Sequence, residues 1–224
     1  HERVPTTMTT ATELIGSKGA EAADGALILA EEQTAGLGRR GRSWDAETHS
    51  SLLFSIVWAV APDIALAIPR LAQLNLAAPV AVVRACSHVG VPNARIKWPN
   101  DVWAGSPPRK PRGVLVDFNG RHAALLGLGI HVLHDMHGNA AATSVGTLLR
   151  EGPRGAGAAS GAPEPPMPPA ELRELMLASF CWELELLMGQ TMADVIGEHR
   201  RHDLLHGRTV RVHHRTREES DPRD

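Results

Sequence analysis

Tyrosine is absent from the 224 residues, phenylalanine occurs three times, and lysine three times against twenty arginines. So few aromatic rings leave little to stack a run of bases, and a formal net charge of -2 gives no general attraction for a polyanion. Both absences count against a nonspecific nucleic-acid binder. No run of eighteen apolar residues exists; the longest, SLLFSIVWAVA at 51–61, suits a buried strand rather than a membrane span. The opening HERVPTTMTT lacks the apolar middle of a signal peptide. The two cysteines, Cys86 and Cys181, lie far apart in apolar surroundings. They read as two separate thiols and fit a reducing compartment: the cytoplasm, or the mitochondrion if the source is eukaryotic. Because lysine is so scarce, each of Lys18, Lys97 and Lys110 stands where arginine was not used, which marks it for attention.

What is present has the length for one substantial domain with a small appendage. A capped helix is expected over 6–15, an apolar strand over 25–31 (GALILAE) and a second strand over 51–60. The alanine- and leucine-rich 68–89 has helical spacing and ends at Gly90 and Pro92, so it reads as a long buried helix. A strand starts at 94–98, and Pro99-Asn100-Asp101 makes a turn. Residues 113–118 and 123–132 read as a hairpin joined through Asn119-Gly120. Residues 152–169 are nearly all Gly, Ala, Ser and Pro and read as a flexible surface excursion. The Leu, Met and Phe spacing of 170–188 predicts an amphipathic helix stopped by Gly189, with its apolar stripe in the core. A helix over 192–205 and a strand over 209–213 follow. Strands interleaved with helices define an α+β fold, a mixed and mostly antiparallel sheet flanked by helices. The main domain is 1–206; 207–224 is the start of a small β-rich piece with a charged tail.

Three stretches carry chemistry. QTAGLGRRGRSW at 33–44 puts three glycines and three arginines into residues 36–42. Gly36, Gly38 and Gly41 let the backbone turn tightly with its N–H groups inward, and Arg39, Arg40 and Arg42 add charge-assisted donors for phosphate or carboxylate. A solvated basic turn or a nucleic-acid patch would carry the same residues. No GK[ST] follows, so it is not a P-loop. RIKWPNDVW at 95–103 sets Lys97 at a strand end beside Asn100 and Asp101; Asp101 suits Mg²⁺ against a nucleotide and Lys97 a phosphate, while an ordinary turn is the plain alternative. RKPRGVLVD at 109–117 brings Lys110 to another strand entrance. The run HVLHDMH, with His131, His134 and His137, lacks zinc-site partners and reads as structural or surface histidine; His199, His202 and His206 read as the polar face of a helix.

Together these stretches resemble the biotin protein ligase family, called holocarboxylase synthetase in eukaryotes. The glycine–arginine turn is similar to that family's biotinyl-adenylate loop, KWPND to its most specific signature, and KPRGVLVD to its lysine-plus-glycine strand. PTTM at 5–8 resembles the biotin-contact segment and GLGIH at 127–131 the Gly-x-Gly-x-Asn strand. The resemblance implies a fold like that of class II aminoacyl-tRNA synthetases and a two-step reaction. Biotin carboxylate attacks the α-phosphate of ATP to give biotinyl-5′-AMP and pyrophosphate; a lysine of a carboxylase's biotin-carrier domain then takes the biotin. It assigns Lys110 and Arg39 to catalysis. Thr6, Thr7, Gln33, Gly36, Arg39 and Gly113 go to biotin, and Arg40, Arg42, Trp44, Lys97, Asn100, Asp101 and His131 to ATP, with Trp44 stacked on adenine and Asp101 on Mg²⁺.

Three departures stand out: Leu37 where the family has a basic residue, Pro111-Arg112 before Gly113, and His131 for the usual asparagine. The small C-terminal β-domain of the family is represented by one strand's worth of sequence. No helix-turn-helix stretch precedes Thr6, so operator binding is not expected, nor any nucleic-acid or membrane partner. The molecule is expected as a monomer or homodimer. A lipoate or octanoyl ligase or transferase is the competing enzyme, and a basic-loop nucleic-acid binder the competing non-enzyme. A degenerate ligase, slow to adenylate and poor at transfer, is a third.

Overall fold

The computed structural model describes residues 1–38, 43–44, 46, 48–61, 63–106, 108–118, 123–133, 142–152 and 167–211, with backbone alone for 64 and 111–118. The order of elements is β1 (Arg3–Val4), α1 (Thr7–Lys18), β2 (Leu27–Ala30), β3 (Glu32–Gln33), β4 (Ser51–Ala59), α2 (Ile64–His88), β5 (Arg95–Lys97), β6 (Asp101–Ala104), β7 (Arg109–Phe118), β8 (Ala123–His131), α3 (Val145–Glu151), α4 (Pro169–Met188) and α5 (Met192–His202). Six strands form one antiparallel sheet in the order β2-β4-β8-β7-β6-β5, and β1 pairs with β3 in a separate parallel ribbon.

The alternation of β4 sorts the sheet into two faces. Leu52, Phe54 and Ile56, with Ala124, Leu126, Leu128 and Ile130 of β8, pack into the main core with α2 and α4. Phe54 meets Phe180 of α4 edge-on, centroids 5.4 Å apart, the arrangement aromatic quadrupoles favour. The stripe predicted on α4 is this core, with Leu172, Met176, Phe180, Leu184, Leu187 and Met188 buried; Leu175, also expected in it, is exposed. On the opposite face Met8, Ala11 and Ile15 of α1 cover Ile28, Val57, Ala123 and Leu125, but only at one end of the sheet. The rest of that face is left for the site.

Helix α1 starts where the sequence predicts, with the Thr6 hydroxyl accepting from Met8 N–H as N-cap. Helix α2 begins earlier than expected, capped by Asp63, whose carboxylate accepts from Ala65 N–H at 2.8 Å. By length and composition Ala65–His88 passes for a membrane span, yet its Arg84 bridges Glu183 of α4 at 2.9 Å and Glu198 of α5 at 2.7 Å, as a packed helix does. It is the core helix of the domain.

Four expectations change. The turn ends at Asn100 and Asp101 opens an unexpected strand, β6, pairing with β5 in the register Lys97↔Asp101. Lys110 lies within β7 rather than before it, because the strand starts at Arg109. No strand forms at 209–211; the chain after α5 turns instead, with Arg208 N–H donating to the Leu205 carbonyl. His199 is buried, not on a polar face, because α5 lays that residue toward α2 and β5. The turn residues Asn119-Gly120, the histidines His134 and His137, and most of the 152–169 excursion lie outside the described residues.

Candidate functional site

Paired residues of antiparallel strands share a face. The register Lys97↔Asp101↔Gly113↔Gly129↔Leu53 therefore runs one row across the sheet, and all five lie on the face opposite the main core. Ser51↔His131 lies two residues to one side of Leu53↔Gly129, and Ser55↔Gly127 two residues to the other. The middle of this face is a glycine floor of Gly113, Gly127 and Gly129. A Cβ on Gly127 would stand 2.8 Å from Met8 Sδ, and one on Gly129 would stand 2.5 Å from Cε2 and 2.8 Å from Cζ2 of Trp44. Neighbouring side chains thus occupy the room that side chains on the strand would take.

At one end lies a polar corner. The Thr7 N–H donates to Gln33 Oε1 at 2.8 Å and the Thr7 hydroxyl donates to the same oxygen at 3.2 Å. Ser55 Oγ sits 2.7 Å from Thr7 Oγ1. Two donors on one oxygen turn the Gln33 carboxamide so that its NH₂ faces Gly36, 3.3 Å from where a Cβ would stand. The parallel ribbon explains the placement: Val4↔Gln33 pairing sets Gln33 beside the start of α1. Thr6 and Thr7 are both buried, and the Thr6 hydroxyl is engaged as the helix cap.

At the other end gather the cations. Lys110 Nζ pairs with Asp101 Oδ1 at 2.9 Å. Lys97, opposite Asp101 in register, lays its ammonium 4.6 Å from the Trp103 ring centroid. Both members of the Lys110–Asp101 pair are about a third exposed, 35% and 28%, so the pair adds little to stability but keeps two charges within reach of solvent and ligand. Asn100 lies in the turn joining the two strands. No cluster of three His, Cys, Asp or Glu side chains able to hold a metal occurs among the described residues. Mg²⁺, however, is usually held by one or two carboxylates together with substrate phosphates, and Asp101 supplies one such carboxylate.

Between the two ends stands the stem of the glycine–arginine turn. The Trp44 N–H donates to the Gly36 carbonyl at 2.9 Å, and Leu37 bridges Ser43. Gly36 has no room for a side chain, since a Cβ there would collide with the Trp44 carbonyl oxygen. The Trp44 indole stacks on the His131 ring, centroids 4.9 Å apart and planes 11° apart. Arg39, Arg40 and Arg42 lie outside the described residues. The structure thus brings Thr6, Thr7, Gln33, Gly36, Trp44, Lys97, Asn100, Asp101, Lys110, Gly113 and His131 to one face or its rim.

Sequence reasoning missed Ser51 and Ser55 as parts of the site, whereas Met8, Gly127 and Gly129 lie within the PTTM and GLGIH stretches it singled out. The signal was available in SLLFSIVWA, where two serines four residues apart interrupt an apolar strand on a single face.

The fold and site define an α+β domain with one glycine-lined sheet face, a polar corner at one end of it and two lysines at the other. Residues 1–131 match the biotin/lipoate A/B protein ligase family, and the chain belongs to that family. It is 32% identical over 136 residues to the bifunctional ligase/repressor BirA of Bacillus subtilis, covering 59% of this chain and 39% of that protein. It is 35% identical over 112 residues to the biotin–[acetyl-CoA-carboxylase] ligase of Mycobacterium tuberculosis, covering 49% and 40%. The chain therefore spans less than half the length of these curated relatives. In fold it is similar to the biotin protein ligase of Leishmania major in complex with biotinyl-5-AMP (TM-score 0.65, 20% identity, 99% of this chain and 85% of that one). It is also similar to the Aquifex aeolicus enzyme in complex with biotin and ATP (TM-score 0.64, 21% identity, 91% and 76%).

Proposed function

We propose that the chain is an ATP-dependent biotin ligase, forming biotinyl-5′-AMP and passing biotin to a lysine of a carboxylase's biotin-carrier domain. The observation that carries this reading is the single row joining Lys97, Asp101, Gly113 and Gly129, with Lys110 paired to Asp101 at its cationic end. Adenylation brings a carboxylate against a triphosphate, so the site must offset like charges at short range and offer fixed donors to the developing phosphorane. In this reading Lys110 releases Asp101 and bridges the carboxylate and α-phosphate. Lys97, a compact cation at the sheet edge, meets the phosphates, and Asn100 shapes the turn that presents them. Mg²⁺ on Asp101 would supply further charge neutralisation at the phosphates.

The polar corner suits the other end of the acid. The Gln33 carboxamide, its oxygen held by Thr7, whose hydroxyl in turn meets Ser55, offers its NH₂ as a donor to a ureido oxygen. The space bounded by Met8 over Gly127 and Trp44 over Gly129 is apolar, fit for a valeryl chain. Arg39, Arg40 and Arg42 would grip the carboxylate and phosphates and order the turn around them. A closed turn over the mixed anhydride keeps water from it.

Biotin-dependent ATP–pyrophosphate exchange, run in parallel with lipoate and with no acid, tests the reading. Exchange with biotin followed by biotin transfer to a carrier domain is the expected result. Exchange with lipoate alone would overturn the choice of acid. No exchange with either, together with salt-sensitive retention on RNA or DNA, would overturn the enzyme.

A further inference from the structure

The Trp44 side chain raises a question that the ligand-binding reading leaves open: what holds the ring in place? Its indole N–H is buried and has no hydrogen-bond acceptor among the described residues. Among the described residues two surfaces meet the ring. One is Gly129, which offers bare backbone; the other is the His131 ring, almost parallel to the indole. His131 is itself firmly set. It is buried, its backbone pairs with Ser51 at the end of β8, and its Nδ1 lies 3.3 Å from Ser51 Oγ.

We propose that His131 is a positioning residue whose imidazole face holds Trp44 against Gly129, fixing the closed stem of the glycine–arginine turn. The chain of contacts is short. The sheet fixes His131, the imidazole and Gly129 fix the indole, and the Trp44 N–H closes the stem on the Gly36 carbonyl. Stacking of two flat π systems is what an asparagine in the same place does not provide to the same degree. Residue 131 therefore acts through Trp44 rather than on the reacting atoms. The consequence for catalysis rests on the ligase reading; the positioning itself does not.

The test uses the ligand-free full chain, with Trp44 assigned among the five tryptophans by comparison with Trp44→Phe. Backbone amide exchange and the indole N–H resonance of Trp44 are measured by NMR, with a thermal midpoint for each variant. His131→Asn keeps a hydrogen-bonding group for Ser51 but loses the aromatic face; His131→Phe keeps the face and loses the bond. In His131→Asn the Trp44 amide is expected to exchange about tenfold faster, with its indole resonance moving toward the free value. In His131→Phe both should stay close to wild type. Ser51→Ala, which leaves the ring at 131 untouched, should also keep the Trp44 amide slow and serves if a residue-131 variant fails to fold. Fast exchange in His131→Phe or Ser51→Ala would assign the hold to the hydrogen bond and overturn the proposal, as would slow exchange in a folded His131→Asn. In the exchange assay His131→Asn should raise KM for biotin and ATP more than it lowers kcat. A silent assay with the NMR pattern as expected would sink the ligase reading and leave the positioning role standing.

Discussion

Gly129→Ala puts one methyl group against the Trp44 ring. That methyl would stand 2.5 Å from Cε2 and 2.8 Å from Cζ2, where carbon atoms ordinarily rest about 3.5–4.0 Å apart. Something must therefore move by about 1 Å. Strand β8 cannot, because Gly129 is paired to Leu53 on one side and to Gly113 on the other. The indole lifts instead. Lifting it forfeits the stack on His131, about 0.5–1.5 kcal/mol. Alanine in a strand is favoured over glycine by about 0.5–1 kcal/mol, which offsets most of that loss. Net stability should change by less than ~1 kcal/mol, a shift of about 2–4 °C in Tm for a chain of this size. The ligand loses its wall, however. A contact worth about 1–2 kcal/mol is a rise of about 5- to 30-fold in KM for biotin or ATP in the pyrophosphate-exchange assay. Wild-type KM with an unmoved indole would refute the assignment of Trp44 as the wall. A Tm fall of more than about 8 °C would show that the backbone gave way instead of the ring.

Three further outcomes are expected. Lys110→Ala should leave stability within about 1 kcal/mol, because its pair with Asp101 is partly exposed, while exchange falls about 10²- to 10³-fold; wild-type exchange would remove Lys110 from the chemistry. Thr7→Val leaves Gln33 with the backbone donor alone and deprives Ser55 of its partner. It should cost about 1–3 kcal/mol in denaturant unfolding and raise KM for biotin with kcat little changed, whereas an unchanged KM would detach the polar corner from biotin. Acidification should loosen α5. Burial pushes His199 below the ordinary histidine value against the opposing charge of Asp203; burial and Arg95 push His202 down, with Arg84 and Arg201 adding to and Glu198 opposing the shift. Since the unfolded chain then binds more protons, stability is full above about pH 6.5 and declines as pH falls through the lowered folded values. Urea unfolding of the His199→Leu, His202→Gln double variant should have a flatter slope across that window, and an unchanged slope would locate the acid sensitivity elsewhere.

Much of the fold is legible because the core-forming elements carry their own periodicity. The 172–188 stripe, the Thr6 cap and the paired strands over 113–118 and 123–132 all announce themselves locally. What the sequence hides is non-local. The start of α2 at Asp63 is hidden because proline favours a helix's first turn, while this helix runs through both Pro69 and Pro79. Two-residue strands such as β1 and β3 have no periodicity to detect, yet their pairing sets Gln33 against Thr7. His199 looks polar on its own helix and is buried only because α5 docks against α2 and β5. At the site, the lysines and the Asn100-Asp101 turn were visible as residues out of character with the composition. The glycines were legible as motif residues, but the serines of β4 became visible only once the register put them on the same face.

The floor has a further consequence. Strands β7 and β8 contribute no side chains at their glycines, so the contour seen by a guest is drawn by Met8 from a helix and Trp44 from a turn stem. Neither belongs to the hydrogen-bonded lattice of the six-stranded sheet. On the ligase reading, acid preference is set at two positions whose exchange leaves every strand pairing of that sheet intact.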